Sequence, residues 1–213
     1  TPRRGFLGSV AAAAVGLGAT TLLPTAAQAA AIASTAVDPQ LEAWFAKLDG
    51  KHRAVFDASE PNDGMGAIWP RIYINTTMAN YPGERTTAMV ILRHGGLGMA
   101  FQDSIWAKYP IDEMFKMRPD GVPLKRNPYA SITGLPIPGL GIAELLKGGV
   151  LVGACDIALT VYSTRAATTM KLDPAAVRKE WVAGLLPGIQ LVPSGVFAVA
   201  RAQELGASYI FAG

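Results

Sequence analysis

The chain has 213 residues, a net charge of +3, 50% hydrophobic residues and one cysteine. That balance suits a domain with a substantial α/β core. With one thiol no intrachain disulfide can form, and without a basic stripe interleaved with aromatics no nucleic-acid partner is expected.

Near the start, Arg3-Arg4-Gly5-Phe6-Leu7 places two arginines before an apolar pair, and a mild hydrophobic run extends from Val10 to Leu23. This is the pattern of a twin-arginine export signal. The run is broken by Gly16, Gly18 and Pro24 and falls short of the ~20 apolar residues of a membrane span. Ala27-Gln28-Ala29 forms an A-x-A cleavage site, so residues 1–29 are expected to be removed and the mature chain to begin near Ala30 in the periplasm. Setting aside Arg3 and Arg4 lowers the charge from +3 to +1. No stable membrane insertion of the mature chain is expected.

Residues 30–50 read as a leader and a short helix, in which Asp38-Pro39 supplies cap and first turn and Leu41, Phe45 and Leu48 recur at helical spacing. His52 to Ala58 reads as a strand. Pro70 is expected to open a helix through Ile72, Tyr73, Thr76 and Ala79, closed by Tyr81-Pro82-Gly83. Thr86 to Leu92 is the clearest strand, apolar or β-branched throughout as in a buried parallel sheet. His94-Gly95-Gly96-Leu97-Gly98 turns the chain into a helix expected from Met99 to Trp106. Val150 to Ala154 is a further strand running into Cys155-Asp156 and a helix to about Met170. Asp173-Pro174 caps another helix ended by Pro187-Gly188. Ile189 to Val192, a helix from Val196 to Leu205 and a strand from Ser208 to Phe211 complete the pattern. The alternation predicts a three-layer α/β fold, a mostly parallel five-stranded sheet with helices on both faces.

The segment from Tyr109 to Gly141 breaks this rhythm, with Pro110, Pro119, Pro123, Pro128, Pro136 and Pro138 and little periodicity. Such an insertion is commonly a flap, an interface or a solvated loop. Its apolar residues Ile132, Leu135, Ile137 and Leu140 point to a homo-oligomer contact.

Two residues carry the candidate chemistry. Cys155, at a strand end and the first turn of a helix, meets backbone N–H groups and the positive end of the helix dipole, which favour a thiolate. Asp156 next to it works the other way, and a free cysteine is often simply a small buried hydrophobe. His94 stands at the end of the preceding strand, where it serves as base, ligand or turn residue. In α/β sheets the active edge lies beyond the carboxyl ends of the strands, and both residues sit there.

Other chemistries find little support. Phe101 stands where a third glycine would complete G-x-G-x-x-G, no G-x-S-x-G elbow accompanies His-Gly-Gly, and one Cys with two His lacks zinc-ligand spacing. No cofactor is therefore expected. Arg165, Lys125 and Arg126 are cations that attract an anionic sulfur substrate or merely face solvent.

With these features in order, residues 51–213 resemble the DsrE/DsrF-like sulfur-relay family, in its exported branch. The resemblance rests on Trp69, Asn75 and Asn80; on Val90-Ile91-Leu92-Arg93-His94-Gly95; on Leu146-Lys147-Gly148-Gly149-Val150-Leu151-Val152-Gly153-Ala154-Cys155; on Leu186-Pro187-Gly188-Ile189-Gln190-Leu191-Val192-Pro193-Ser194-Gly195-Val196; and on Gln203-Glu204-Leu205-Gly206-Ala207-Ser208-Tyr209-Ile210. It implies homo-oligomers and, at the position of Cys155, a cysteine carrying persulfide sulfur between donor and acceptor proteins. His94 matches the family's His-Gly turn, whose role is not generally assigned. The insertion at 109–141 and the export signal depart from the characterised cytoplasmic relays. Two functions follow: a sulfur carrier or transferase using a single cysteine, or a non-catalytic binding or assembly module on the same fold.

Overall fold

The computed structural model describes residues 38–118 and 121–213. The expected export signal, its cleavage site and the leader at 30–37 lie outside the described residues.

Five strands form one all-parallel sheet: β1 (His52–Ala58), β2 (Thr86–Leu92), β3 (Leu151–Cys155), β4 (Gln190–Val192) and β5 (Ser208–Phe211), in spatial order β4-β3-β2-β1-β5. Alternate residues point to opposite faces of a strand, and the core divides accordingly. Ala54, Phe56, Ala58, Val90, Leu92, Val152 and Ala154 belong to one apolar layer, whereas Val55, Met89, Ile91 and Val192 belong to the other. The first face is covered by α2 (Met65–Asn80), α5 (Ile142–Lys147), α6 (Asp156–Met170) and α7 (Pro174–Ala183). The second takes α1 (Pro39–Phe45) and α8 (Gly195–Glu204), tied together by the Arg201 guanidinium donating to Glu42 at 2.7 and 3.3 Å. The three-layer fold expected from the alternation is thus present, with every strand pairing parallel.

Several helix boundaries differ from the sequence reading: α1 stops at Phe45, before Leu48, and α7 at Ala183, short of the Pro187-Gly188 turn. Pro70 lies inside α2, not at its start; Asn62, Asp63 and Gly64 adopt left-handed backbone angles and turn the chain early enough for Met65 to begin the helix. Proline there forgoes one helical hydrogen bond. After β2, His94–Ala100 forms 3-10 turns, and the helix that follows, α3, spans Asp103–Lys108, not Met99 to Trp106. Phe101 is the cause: it is extended, bridges to Leu185 and packs edge-on against Trp181 at 4.9 Å.

The insertion is anchored at particular residues, while much of its described length from Gly121 to Pro138 is exposed. After the short helix α4 (Ile111–Met114), Phe115, Met117 and Tyr129 continue the burial. Asn127 donates its side-chain amide to the carbonyls of Met99 and Phe101 at 3.0 and 2.7 Å and accepts from the Tyr129 N–H at 2.9 Å. Asp112 accepts from the Arg118 guanidinium and the Leu124 N–H, both at 2.7 Å. Of the four apolar residues expected at a contact, Leu140 is buried in the chain's own core, Ile132 bridges to it and is half-buried like Ile137, and Leu135 is exposed.

Candidate functional site

The crossovers after β1, β2 and β3 run over one face, and the connection through α8 runs over the other. The carboxyl ends of β3 and β4 therefore diverge, which is where a doubly wound sheet opens a crevice. A cavity of about 420 Å³ lies there, of small-molecule size. Its lining includes Arg93 and His94 from the end of β2, Cys155 from the end of β3, and Ser194, Gly195 and Val196 from the start of α8. The sequence places a strand-to-helix turn at each of these points, and the sheet order brings the three turns together.

Cys155 is the N-cap of α6: its backbone is extended, and its Sγ accepts the Ala158 N–H at 3.4 Å. One of the four N–H groups that a helix start leaves without a partner is thus directed at sulfur. The side chain is buried at 6% exposure yet borders the cavity. The neighbouring Asp156 carboxylate is engaged by Arg178 at 2.5 Å, and Arg178 also donates to the Thr160 hydroxyl.

Beneath the crevice lies an ion pair between strands. Arg93 donates through Nε and Nη2 to both oxygens of Asp57 at 2.7 and 2.8 Å, and the Tyr209 hydroxyl donates to Asp57 at 3.0 Å. Asp57 is 3% exposed, so its charge needs partners of this kind. The hydrogen bond to Asp57 raises the Arg93 pKa against the opposing cost of burial, with the charges of Asp57, Tyr209 and Cys155 adding to it. Burial, and then the hydrogen bond to Asp57, raises the Tyr209 pKa and keeps its hydroxyl a donor. Gly195 makes room for Arg93: a Cβ there would stand 2.7 Å from the Arg93 Cβ and 2.8 Å from its Cδ.

His94 lies at the rim, its side chain 61% exposed and its backbone in the left-handed region at φ 45°. Burial, then the charge of Glu60, raises the Tyr162 pKa. The Tyr162 hydroxyl and His94 Nδ1 are hydrogen-bonded at 3.0 Å, and His94 Nε2 faces Glu60 at 3.4 Å. The glycines that follow serve the backbone: a Cβ on Gly96 would lie 2.2 Å from the Ala58 carbonyl oxygen.

Cys155 and His94, the two residues singled out in the sequence, therefore line one cavity, and so does Arg165. Arg126 does not; it pairs with Asp103 at 2.8 Å. His52 is remote, at the start of β1, bonded to Glu84 at 2.6 Å and stacked on Tyr81. Sequence reasoning missed Asp57, Glu60 and Tyr162. An acid inside the apolar run Ala54-Val55-Phe56-Asp57-Ala58 was the available signal for the first, because a buried charge demands a partner. Among the described residues no cluster of three or more His, Cys, Asp or Glu is arranged to hold a metal ion, and no helix is long and apolar enough to cross a membrane.

Fold and site together define a three-layer α/β protein with a cysteine-bearing crevice at the carboxyl edge of its sheet. No protein-family model matches the chain, and no curated protein matches its sequence. Among solved structures it is similar to a protein of unknown function from Methanobacterium thermoautotrophicum, at 19% identity over 76% of this chain and 99% of that one, with a TM-score of 0.42.

Proposed function

We propose that the protein is an exported sulfur carrier or transfer protein of the DsrE/DsrF-like kind, with Cys155 as the sulfur-bearing residue. The observation that carries this reading is the placement of the Cys155 sulfur at the start of a 15-residue helix, accepting a backbone N–H and bordering the cavity. The chemistry needs one thiol and no cofactor. The Cys155 sulfur attacks the outer sulfur of a persulfide R–S–SH, the S–S bond breaks, and R–S⁻ leaves with the bonding pair. The proton lost by Cys155 ends on the leaving thiolate, giving Cys155–S–SH and R–SH without net oxidation. A terminal sulfur anion formed on Cys155 faces the N-terminal end of α6, which favours negative charge. His94, at the rim of the same cavity, relays the proton. Delivery to the periplasm by the twin-arginine route, assembly into homo-oligomers and exchange with a donor or acceptor protein belong to this same reading.

The low exposure of Cys155 supports a second reading, a binding or assembly module in which the thiol is inert. Incubation with inorganic polysulfide followed by intact mass measurement separates the two. The carrier gains one sulfur atom, removed by reductant, and Cys155→Ser gains none. A folded wild-type protein that gains nothing favours the binding module.

A further inference from the structure

The side of the crevice formed by α6 carries a pattern that sulfur chemistry alone does not require. Ile157, Val161 and Arg165 all line the cavity, and their spacing of four residues stacks them along one face of the helix leading away from Cys155. Ile157 and Val161 are 59% and 58% exposed, and Val196 across the cavity is 66% exposed. Three branched apolar side chains therefore stand open to solvent around a concave site beside a thiol.

The charges complete the pattern. Arg93 is committed to Asp57, and His94 lies against Glu60. Arg165, by contrast, forms no ion pair among the described residues. From Cys155 to Arg165 the helix rises about 15 Å, and side chains lean back toward the helix start, so the guanidinium lies nearer the sulfur than that rise. An inorganic sulfur chain would leave the apolar stripe uncovered.

We propose that the crevice takes an anionic amphiphile: an organic thiol in persulfide form whose sulfur meets Cys155, whose apolar chain covers Ile157 and Val161, and whose anionic head pairs with Arg165. The persulfide part rests on the carrier reading above; the amphiphile part does not. Transfer follows the same balance, with the apolar thiol as the leaving group. Specificity comes from the length of chain between sulfur and anion, because the thiol and the guanidinium are fixed on one helix.

Octanoate is the probe that isolates the ligand class from the sulfur chemistry. Calorimetry on the folded Cys155→Ser protein should show octanoate binding more tightly than either octanol, which lacks the charge, or acetate, which lacks the chain. Arg165→Gln should weaken octanoate about tenfold, and Val161→Asp should abolish its binding. Both substitutions fall on exposed positions, so the fold is kept. In the wild type, the rate of Cys155 loading from mercaptooctanoate persulfide, divided by that from inorganic polysulfide, should also fall about tenfold on Arg165→Gln. Octanoate binding no tighter than octanol or acetate, or unchanged in Arg165→Gln, overturns the proposal, and loading from polysulfide in that case leaves the carrier reading standing. Octanoate binding without loading from either donor supports the amphiphile site and removes the carrier.

Discussion

Two regions of the molecule hold apolar side chains outside the regular layers, and they treat most of them in opposite ways, Val122 and Leu135 of the insertion staying exposed. The insertion at 109–141 turns Ile111, Phe115, Met117 and Leu140 into the core and fixes its backbone through Asn127, Asp103 and Asp112. The crevice beside Cys155 leaves Ile157, Val161 and Val196 largely exposed around a cavity. By sequence the insertion was the expected place for a contact, because it combines prolines with apolar residues and lacks periodicity. Exposed apolar surface gathered around a concavity, not apolar content, marks where a partner is wanted.

Loosening the insertion is the strongest way to break this contrast. Asn127→Ala removes two hydrogen bonds to buried carbonyls and one from a buried N–H. The cost should be about 2–4 kcal/mol, read as a lower denaturation midpoint in urea, with proteolytic cleavage appearing within 109–141. An unchanged midpoint would mean that the segment is held by packing alone.

A smaller effect is expected at the rim of the crevice. His94 holds a left-handed backbone angle without being glycine, so His94→Gly should be about 1 kcal/mol more stable than His94→Ala. Both variants lose the bond to Tyr162, which leaves backbone strain as the difference between them. Equal stability in chemical denaturation would show that the turn carries no strain. If His94 relays the proton, both variants should load sulfur more slowly than wild type, and to the same degree.

The smallest expected effect is local and depends on pH. The N–H of Asn127, against burial, and then Arg126 hold the Asp103 carboxyl below its usual range. For Asp112, burial pushes upward, but the hydrogen bonds from Arg118 and from the N–H groups of Leu124 and Glu113 outweigh it and leave the pKa lowered. A depressed carboxylate stabilises the fold fully above its unfolded value, about 4, and loses that contribution as pH falls below it. Protection factors for amide exchange within 109–141, corrected for the intrinsic rate at each pH, should therefore fall as pH drops below about 4, ahead of those in β2 and β3. Loss of protection in the strands first would contradict the assignment of these anchors.

Much of the fold is legible in the sequence because it rests on local signals. Thr86–Leu92 is apolar or β-branched throughout, and Asp173-Pro174 caps a helix as its residue types require, Asp173 accepting the Ala176 N–H at 2.7 Å. The misplaced boundaries depend on tertiary contacts: Phe101 stays extended because Trp181, eighty residues away in the chain, receives its ring. Cys155 and His94 are legible as strand-end residues, but their shared cavity requires the sheet order. The Asp57–Arg93 pair joins two strands whose adjacency no periodicity encodes, and the burial of Leu140 within the insertion is equally non-local.

The most direct measurement is sulfur uptake by Cys155 in the folded and the unfolded protein, followed by intact mass under polysulfide. If Cys155 borders a working crevice, the folded wild type takes up one sulfur atom, reversibly by reductant, while Cys155→Ser takes up none. Uptake only after denaturation would contradict the sulfur-carrier reading and make Cys155 a buried structural thiol.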